Sequence, residues 1–167
     1  MKRETLNKYS KKMYSQFGED GILLEIFKRL KKKNLDYWCV EFGARDGISD
    51  SNTLNLIKNY AYKAILIEGE KSYFKKLCQN FPQDEIIKIN KFINFFGENN
   101  LDNILKKTKI PKNFDFLSID IDGCDYYIFD SLNEYRPKII CIEFNHLIPN
   151  AVEFVQKKDF SVKQGCS

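Results

Sequence analysis

The apolar residues of this chain follow two patterns that alternate along its length: short unbroken runs and segments with a helical period. Unbroken apolar runs of a few residues are typical of buried strands, whereas apolar positions spaced three and four apart indicate a helix with one buried face. Five such runs predict strands at 37–42, 64–67, 86–89, 114–121 and 138–142.

Helical periods fill the intervals between these runs. The first helix is predicted to begin near Gly18 and to stop at Asn34, and Ser51 is predicted to cap the second. The apolar residues whose spacing predicts the helices are, in chain order, Ile22, Leu23, Ile26, Phe27 and Leu30 for the first; Leu54, Leu56 and Ile57 for the second; Tyr73, Phe74 and Leu77 for the third; and Ile128, Phe129 and Leu132 for the last. A short helix is also predicted at 101–107. Strands that alternate with helices indicate βαβ units, so the chain of 167 residues is predicted to be one α/β domain with a mostly parallel sheet and flanking helices.

Polar residues stand where the predicted strands end. They are Glu41 after the first, Glu68 after the second, Asp120 and Asp122 after the fourth, and Glu143 and Asn145 after the fifth. An acid at any one of these positions could merely cap a helix or start a turn. In an open parallel sheet, however, ligands bind beyond the carboxyl ends of the strands, so the whole set predicts a ligand site at that edge.

Two of these strand ends indicate the kind of ligand. Gly43 and Gly47 are expected to let the backbone pass close to a ligand, because glycine has no Cβ. Their spacing differs from the GxGxxG motif of dinucleotide-binding loops, so the sequence gives only weak support for a pyrophosphate-binding loop. Glu68 closes the second strand, where a carboxylate can accept hydrogen bonds from both ribose hydroxyls. The sequence therefore favours a cofactor that contains a nucleoside.

Five motifs in order make the chain resemble the FkbM-type methyltransferases. They are SQFGEDG at 15–21, VEFGARDG at 40–47, LIE at 66–68, DFLSIDIDG at 115–123 and IEFN at 142–145. The resemblance implies a Rossmann-like methyltransferase fold and S-adenosylmethionine (SAM) as the methyl donor. It also implies O-methylation of a sugar or a glycan precursor.

The resemblance further implies roles for single residues. Glu41, Gly43 and Asp46 match the motif that surrounds the methionine part and the ribose. Asp120 matches a residue near the methyl sulfonium, and Glu19 lies with Gln16 in the segment that closes over the site. The implied cofactor-binding residues are Gln16, Glu41, Gly43, Asp46, Glu68, Phe92 (against the adenine) and Asp120.

The acceptor side of the predicted site combines carboxylates with a single histidine. Asp120, Glu143 and Asn145 offer oxygen ligands of the kind that Mg²⁺ takes, and a bound ion could lower the pKa of an acceptor hydroxyl. The alternative is that these side chains bond helix N-termini and the cofactor. Asp120 and His146 are the candidate catalytic residues, although a lone loop histidine can equally be a surface residue.

The predicted organisation is a basic arm at 1–14 followed by a SAM-binding domain at 15–167. Methyltransferases of this fold usually have seven strands, and five are predicted here. We therefore expect a domain that is incomplete at its C-terminus, with an exposed sheet edge that favours a homo-oligomer. Two other functions remain open: a SAM-binding domain without catalytic activity, and a nicotinamide-dependent oxidoreductase, which the missing GxGxxG disfavours.

The composition limits the class of protein, its expected location and its expected partners. Hydrophobic residues make up 43% and charged residues 30% of the chain, and no apolar run is long enough to span a bilayer. The five cysteines form no CxxC pair, so we expect free thiols and a cytoplasmic location. No apolar segment follows the basic N-terminus at 1–5, so no signal peptide is expected. The net charge of +4 includes a basic cluster at 28–33, which is predicted to be a solvated helix end instead of a nucleic-acid site. The expected partner is a small-molecule or sugar acceptor.

Overall fold

Five parallel strands form one sheet in the computed structural model of the protein, which describes residues 5–30, 35–149 and 151–159. The strands are β1 (Trp38–Phe42), β2 (Lys63–Glu68), β3 (Ile86–Asn90), β4 (Phe116–Ile119) and β5 (Ile139–Ile142). All the predicted strands are therefore confirmed. The fourth spans only Phe116–Ile119 of the predicted run 114–121, and the residues after it lead into the turn at Asp122, where φ is +54°.

The strand order is β3-β2-β1-β4-β5, so the order reverses between β1 and β4. The chain first builds the sheet outward through β2 and β3, then crosses back to place β4 on the other side of β1. Phe42 at the end of β1 is paired with Ile119 at the end of β4. The carboxyl ends of these two strands therefore diverge into loops on opposite sides of one opening, where ligands bind in folds of this kind.

In the described residues, one α-helix precedes β1 and four more lie between consecutive strands. They are α1 (Glu19–Arg29), α2 (Leu54–Tyr60), α3 (Lys71–Asn80), α4 (Leu101–Leu105) and α5 (Asp125–Asp130), with short 3-10 helices at Leu6–Tyr9 and Gly97–Asn99. The Ser51 hydroxyl accepts a hydrogen bond from the first helical N–H of α2, that of Leu54, at 3.1 Å. The first helix ends at Arg29, and the predicted stop at Asn34 lies outside the described residues.

The core lies in two layers, one on each face of the sheet. Alternate residues of the strands face alternate sides, so Val40, Ile65 and Leu117 pack with α4 and α5 in one apolar cluster. Cys39 and Leu66 belong to the other cluster, with α1, α2 and α3. The predicted Rossmann-like α/β architecture, with a parallel sheet between helices, is thus confirmed.

The described cysteines are free thiols, as expected, and Cys166 lies outside the described residues. None of the helices in the described ranges is long and apolar enough to cross a bilayer.

The N-terminal segment, predicted as a basic arm, folds back onto α1 in its described part. The Asp20 carboxylate accepts hydrogen bonds from the N–H groups of Met13, Tyr14 and Ser15 at 2.7–2.9 Å. Ser15 also forms an isolated parallel bridge with Asp50 in the loop after β1. These contacts bring Gln16 to the carboxyl edge of the sheet.

At the amino ends of the strands lies an ion pair between a buried acid and a half-buried lysine. Asp115, just before β4, is fully buried and accepts hydrogen bonds from the N–H of Asp36 and that of Tyr37, at 3.0 and 2.8 Å. The Lys138 ammonium donates to the same carboxylate at 2.7 Å. Burial disfavours the ammonium, but its hydrogen bonds to Asp115 and Asp36 raise the pKa of Lys138. Asp115 thus connects the segments that lead into β1, β4 and β5.

Strand β5 forms one edge of the sheet, and all four of its residues are half-buried. An edge strand has one unpaired row of backbone groups, which is why self-association was expected there. That association stays a prediction.

Candidate functional site

A cleft of about 570 Å³ opens above the carboxyl ends of the strands. It spans the loops after β1, β2, β3 and β4, and therefore includes the point where the strand order reverses. The sequence-predicted cofactor residues that line it are Gln16, Glu41, Gly43, Glu68, Phe92 and Asp120. Asp46 is not among its lining residues, because its carboxylate is turned back to accept hydrogen bonds from Ser49 and from the N–H of Ile48.

Glu41 closes β1 and organises the loop that follows it. One carboxylate oxygen accepts hydrogen bonds from the hydroxyls of Ser51 and Thr53 at 2.7 and 2.6 Å, and the other accepts from the Asn52 N–H at 2.8 Å. Burial raises the pKa of Glu41, and these hydrogen bonds oppose the rise. Glu41 therefore shapes the wall of the cleft by fixing the loop, in addition to facing it.

Glu68 closes β2 with both carboxylate oxygens anchored. One accepts from the Arg45 N–H at 2.7 Å and the other from the Glu70 N–H at 2.6 Å. The side chain is only 7% exposed, yet it lines the cleft. A carboxylate oxygen can accept more than one hydrogen bond, so Glu68 keeps acceptor capacity for a pair of hydroxyls.

The glycines after β1 also serve internal packing, and the expectation that they let a ligand approach the backbone stays a prediction. A Cβ on Gly43 would lie 1.9 Å from the carbonyl oxygen of Asp120, and a Cβ on Gly47 would lie 2.5 Å from the ring of Phe81. Gly43 lines the cleft, but its missing side chain makes room for the β4 loop. Both glycines have φ of +74°, which favours glycine independently of the contacts.

Aromatic rings stand at the β2 and β3 end of the cleft. Phe92 is 72% exposed, and its ring lies directly over Gly69, where a Cβ would come within 2.3 Å of it. The guanidinium of Arg45 stacks over the ring of Tyr73 at 5.3 Å. Sequence reasoning missed Arg45 and Tyr73 as lining residues, although Arg45 lies within the VEFGARDG motif.

The segment between β4 and α5, residues 120–125, is termed the acid turn. The buried Asp125 carboxylate accepts hydrogen bonds from the N–H of Ile121 and that of Gly123, each at 2.9 Å. Asp120 and Asp122 line the cleft. Lost hydration raises the pKa of Asp120, and the carboxylates of Asp125 and Asp122 raise it further.

Glu143, directly after β5, completes a group of three carboxylates. Asp120, Asp122 and Glu143 each offer an oxygen within 4.8 Å of the others. Burial, followed by the charges of Asp120 and Asp125, raises the pKa of Glu143 to about 7. Its buried Oε2 atom has no hydrogen-bond partner among the described residues. The structure thus brings together two of the predicted metal ligands, Asp120 and Glu143.

Asn145 and His146, the remaining predicted site residues, follow this group along the chain. The side-chain oxygen of Asn145 accepts a hydrogen bond from the Leu147 N–H at 3.0 Å, so it closes a turn. His146 is exposed and does not belong to the residues that line the cleft. Their roles as ligand and base stay predictions.

Comparison with models of protein families gives a match to part of the chain. The family model described as Methyltransferase FkbM domain matches residues 97–161, a range that contains β4, the acid turn, α5 and β5. No curated protein and no solved structure matches the chain. Glu41 and Glu68 precede the matched range, whereas Asp120 and Glu143 lie inside it. The resemblance that the sequence motifs indicated is thereby confirmed over residues 97–161, where the chain is similar to the FkbM domain of methyltransferases.

Proposed function

We propose that this protein binds SAM in the cleft and transfers its methyl group to a hydroxyl of a sugar or a glycan precursor. The observation that carries the proposal is that residues from four separate strand ends, Glu41, Glu68, Phe92 and Asp120 among them, line one cleft where the strand order reverses. The match to the FkbM methyltransferase domain supports methyl transfer as the chemistry. The sugar acceptor rests on the family resemblance alone.

In this proposal, different residues of the cleft bind different parts of SAM. Glu68 accepts hydrogen bonds from the ribose hydroxyls, and the exposed ring of Phe92 stacks on the adenine. SAM supplies an electrophilic methyl group on a sulfonium. The chain then has to align the acceptor hydroxyl with that group and remove its proton. Asp120 lies on the side of the cleft away from Phe92, where it can face the sulfonium and the acceptor.

The Glu68→Ala substitution should weaken binding of S-adenosylhomocysteine (SAH) by about 1–3 kcal/mol, because a charge-assisted hydrogen bond is lost and two ribose hydroxyls are left without an acceptor. Isothermal titration calorimetry measures the change. Glu85→Ala is the matched control, since it removes an exposed acid outside the cleft. Equal affinities of SAH for the parent and Glu68→Ala would remove the ribose assignment.

The same titration separates the competing functions. NAD that binds more tightly than SAH would favour an oxidoreductase over the proposed activity. If SAH binds but no labelled methyl group passes from SAM to sugar acceptors, the protein is a binding domain without turnover.

We further propose that a divalent cation, Mg²⁺ in the cell, binds between Asp120, Asp122 and Glu143. The residues fit such an ion: they provide three carboxylates with oxygens within 4.8 Å of one another, and one buried oxygen has no partner. Carboxylates this close repel unless a proton or a cation lies between them. When bound, the ion would supply positive charge that favours the deprotonated acceptor.

Mn²⁺, followed by electron paramagnetic resonance in the presence of SAH, tests this site. The Asp120→Asn and Glu143→Gln variants should each bind Mn²⁺ about tenfold or more weakly than the parent, because each loses a charged oxygen ligand. Asp130→Asn, an exposed acid at the end of α5, serves as the control. A parent that binds no Mn²⁺ at millimolar concentration, or variants that bind it equally well, would contradict the proposal.

A further inference from the structure

The segment 151–159, termed the strap, has no regular helix or strand but contains one deeply buried polar residue. Gln156 is 3% exposed, whereas its neighbours Val155 and Lys157 are exposed. A buried amide needs hydrogen-bond partners, because the loss of water at an unpaired polar group costs free energy. The contacts of Gln156 therefore indicate why a polar side chain occupies this position.

Gln156 connects the strap to α5 and to the acid turn. Its side-chain Nε2 donates a short hydrogen bond to the carbonyl oxygen of Gly123. Its backbone carbonyl accepts one from the hydroxyl of Tyr127 at 2.6 Å. Two residues later, the Lys158 ammonium lies 4.6 Å from the ring centre of Phe95 and 5.3 Å from that of Tyr127. The strap is thus fixed at neighbouring points on one surface.

Several other contacts of the acid turn come from residues near it in sequence or at a strand end, such as the hydrogen bond from the Ile128 N–H to the Cys124 carbonyl. The Asp125 carboxylate accepts hydrogen bonds from the N–H of Ile121 and that of Gly123. The carbonyl of Asp120 lies against Gly43. Gln156, which is 33 residues after Gly123, adds a contact from a distant part of the chain.

We propose that Gln156 is a positioning residue that fixes the acid turn, so that Asp120 and Asp122 hold their carboxylates toward the sulfonium end of the cleft. The second polar atom of Gln156, Oε1, is buried without a hydrogen-bond partner among the described residues. An apolar side chain of similar size would avoid that cost, so the amide is explained by the hydrogen bond that it donates to Gly123. This inference rests on the proposed function, because it requires SAM in the cleft.

The test compares binding of SAM and SAH to Gln156→Met, which keeps the volume of the side chain and removes its N–H donor. SAM carries a positive sulfonium and SAH does not, so displaced carboxylates should affect SAM selectively. We expect Gln156→Met to reduce the preference for SAM over SAH about fivefold, with SAH affinity changed by less than about twofold. A purely structural role would weaken both ligands alike. Hydrogen exchange at the amides of 121–125 should become faster in the same variant.

Gln83→Met is the matched control, because it makes the same substitution at an exposed position before β3. If Gln156→Met does not fold, Tyr127→Phe removes only the hydroxyl that holds the Gln156 backbone and should lower the SAM preference in the same direction. A parent that binds neither SAM nor SAH overturns the proposed function and this inference with it. A parent that binds both, with an unchanged ratio in Gln156→Met, overturns the role of Gln156 alone.

Discussion

The Asp115→Ala substitution is expected to lower the free energy of unfolding by about 3–5 kcal/mol, the range for breaking a buried ion pair by removal of one partner. The Asp115 carboxylate is fully buried, so its loss leaves the Lys138 ammonium with the more exposed Asp36 as its one ionic partner among the described residues. It also leaves the N–H groups of Asp36 and Tyr37 without their acceptor. Each of these groups lies just before or at the start of a strand, so the substitution should destabilise the sheet.

Chemical denaturation monitored by circular dichroism measures this change. Asp84→Ala, at an exposed position before β3, is the control and should change stability by less than about 0.5 kcal/mol. The double variant Asp115→Leu/Lys138→Met should recover part of the loss, because it removes both charges together. An Asp115→Ala protein as stable as the Asp84→Ala control would contradict the importance of the ion pair.

The Gly43→Ala substitution should cost about 2–4 kcal/mol of stability and more than tenfold in SAH affinity. The added Cβ would lie 1.9 Å from the Asp120 carbonyl oxygen, which belongs to the backbone and cannot rotate away. The end of β1 and the acid turn would have to separate, and these two segments form facing parts of the cleft. Stability and ligand binding should therefore fall together.

Gly97→Ala provides a close control, because Gly97 has a similar φ of +70° but nothing within 4 Å of an added Cβ. This variant should show only the left-handed backbone cost of about 1–2 kcal/mol and unchanged SAH affinity. The difference between the two variants isolates the contact with Asp120. If Gly43→Ala and Gly97→Ala have equal stabilities and equal SAH affinities, the close approach of β1 to the acid turn contributes to neither stability nor binding.

The strands and the edge at which the site lies could be predicted because both follow from patterns local to the sequence. An apolar run bounded by polar residues identifies a strand, and parallel strands place their carboxyl ends at one edge. The grouping of Asp120 with Glu143 follows from that geometry once β4 and β5 are neighbours. The strand order itself is not encoded in any single run, since each run is apolar regardless of its position in the sheet.

The uses of individual residues could not be predicted in the same way, because they depend on neighbours that are distant in sequence. Asp46 lies in a cofactor motif, yet its carboxylate closes a local turn with Ser49. Gly47 makes room for Phe81 of the segment after α3. Gln156 lies in an irregular segment where no periodicity marks a buried position.

The Asp20 carboxylate also bears on the order in which the protein folds. It bonds to Met13, Tyr14 and Ser15, which are only 7, 6 and 5 residues away along the chain. In contrast, the bond from Asn52 to Ser118, between the β1 loop and β4, joins residues 66 apart. Contacts between near neighbours close small loops and form quickly, whereas distant strand pairing is slow. We therefore expect the wall that contains Gln16 to form early on α1, and the complete cleft to exist only after β4 has joined β1.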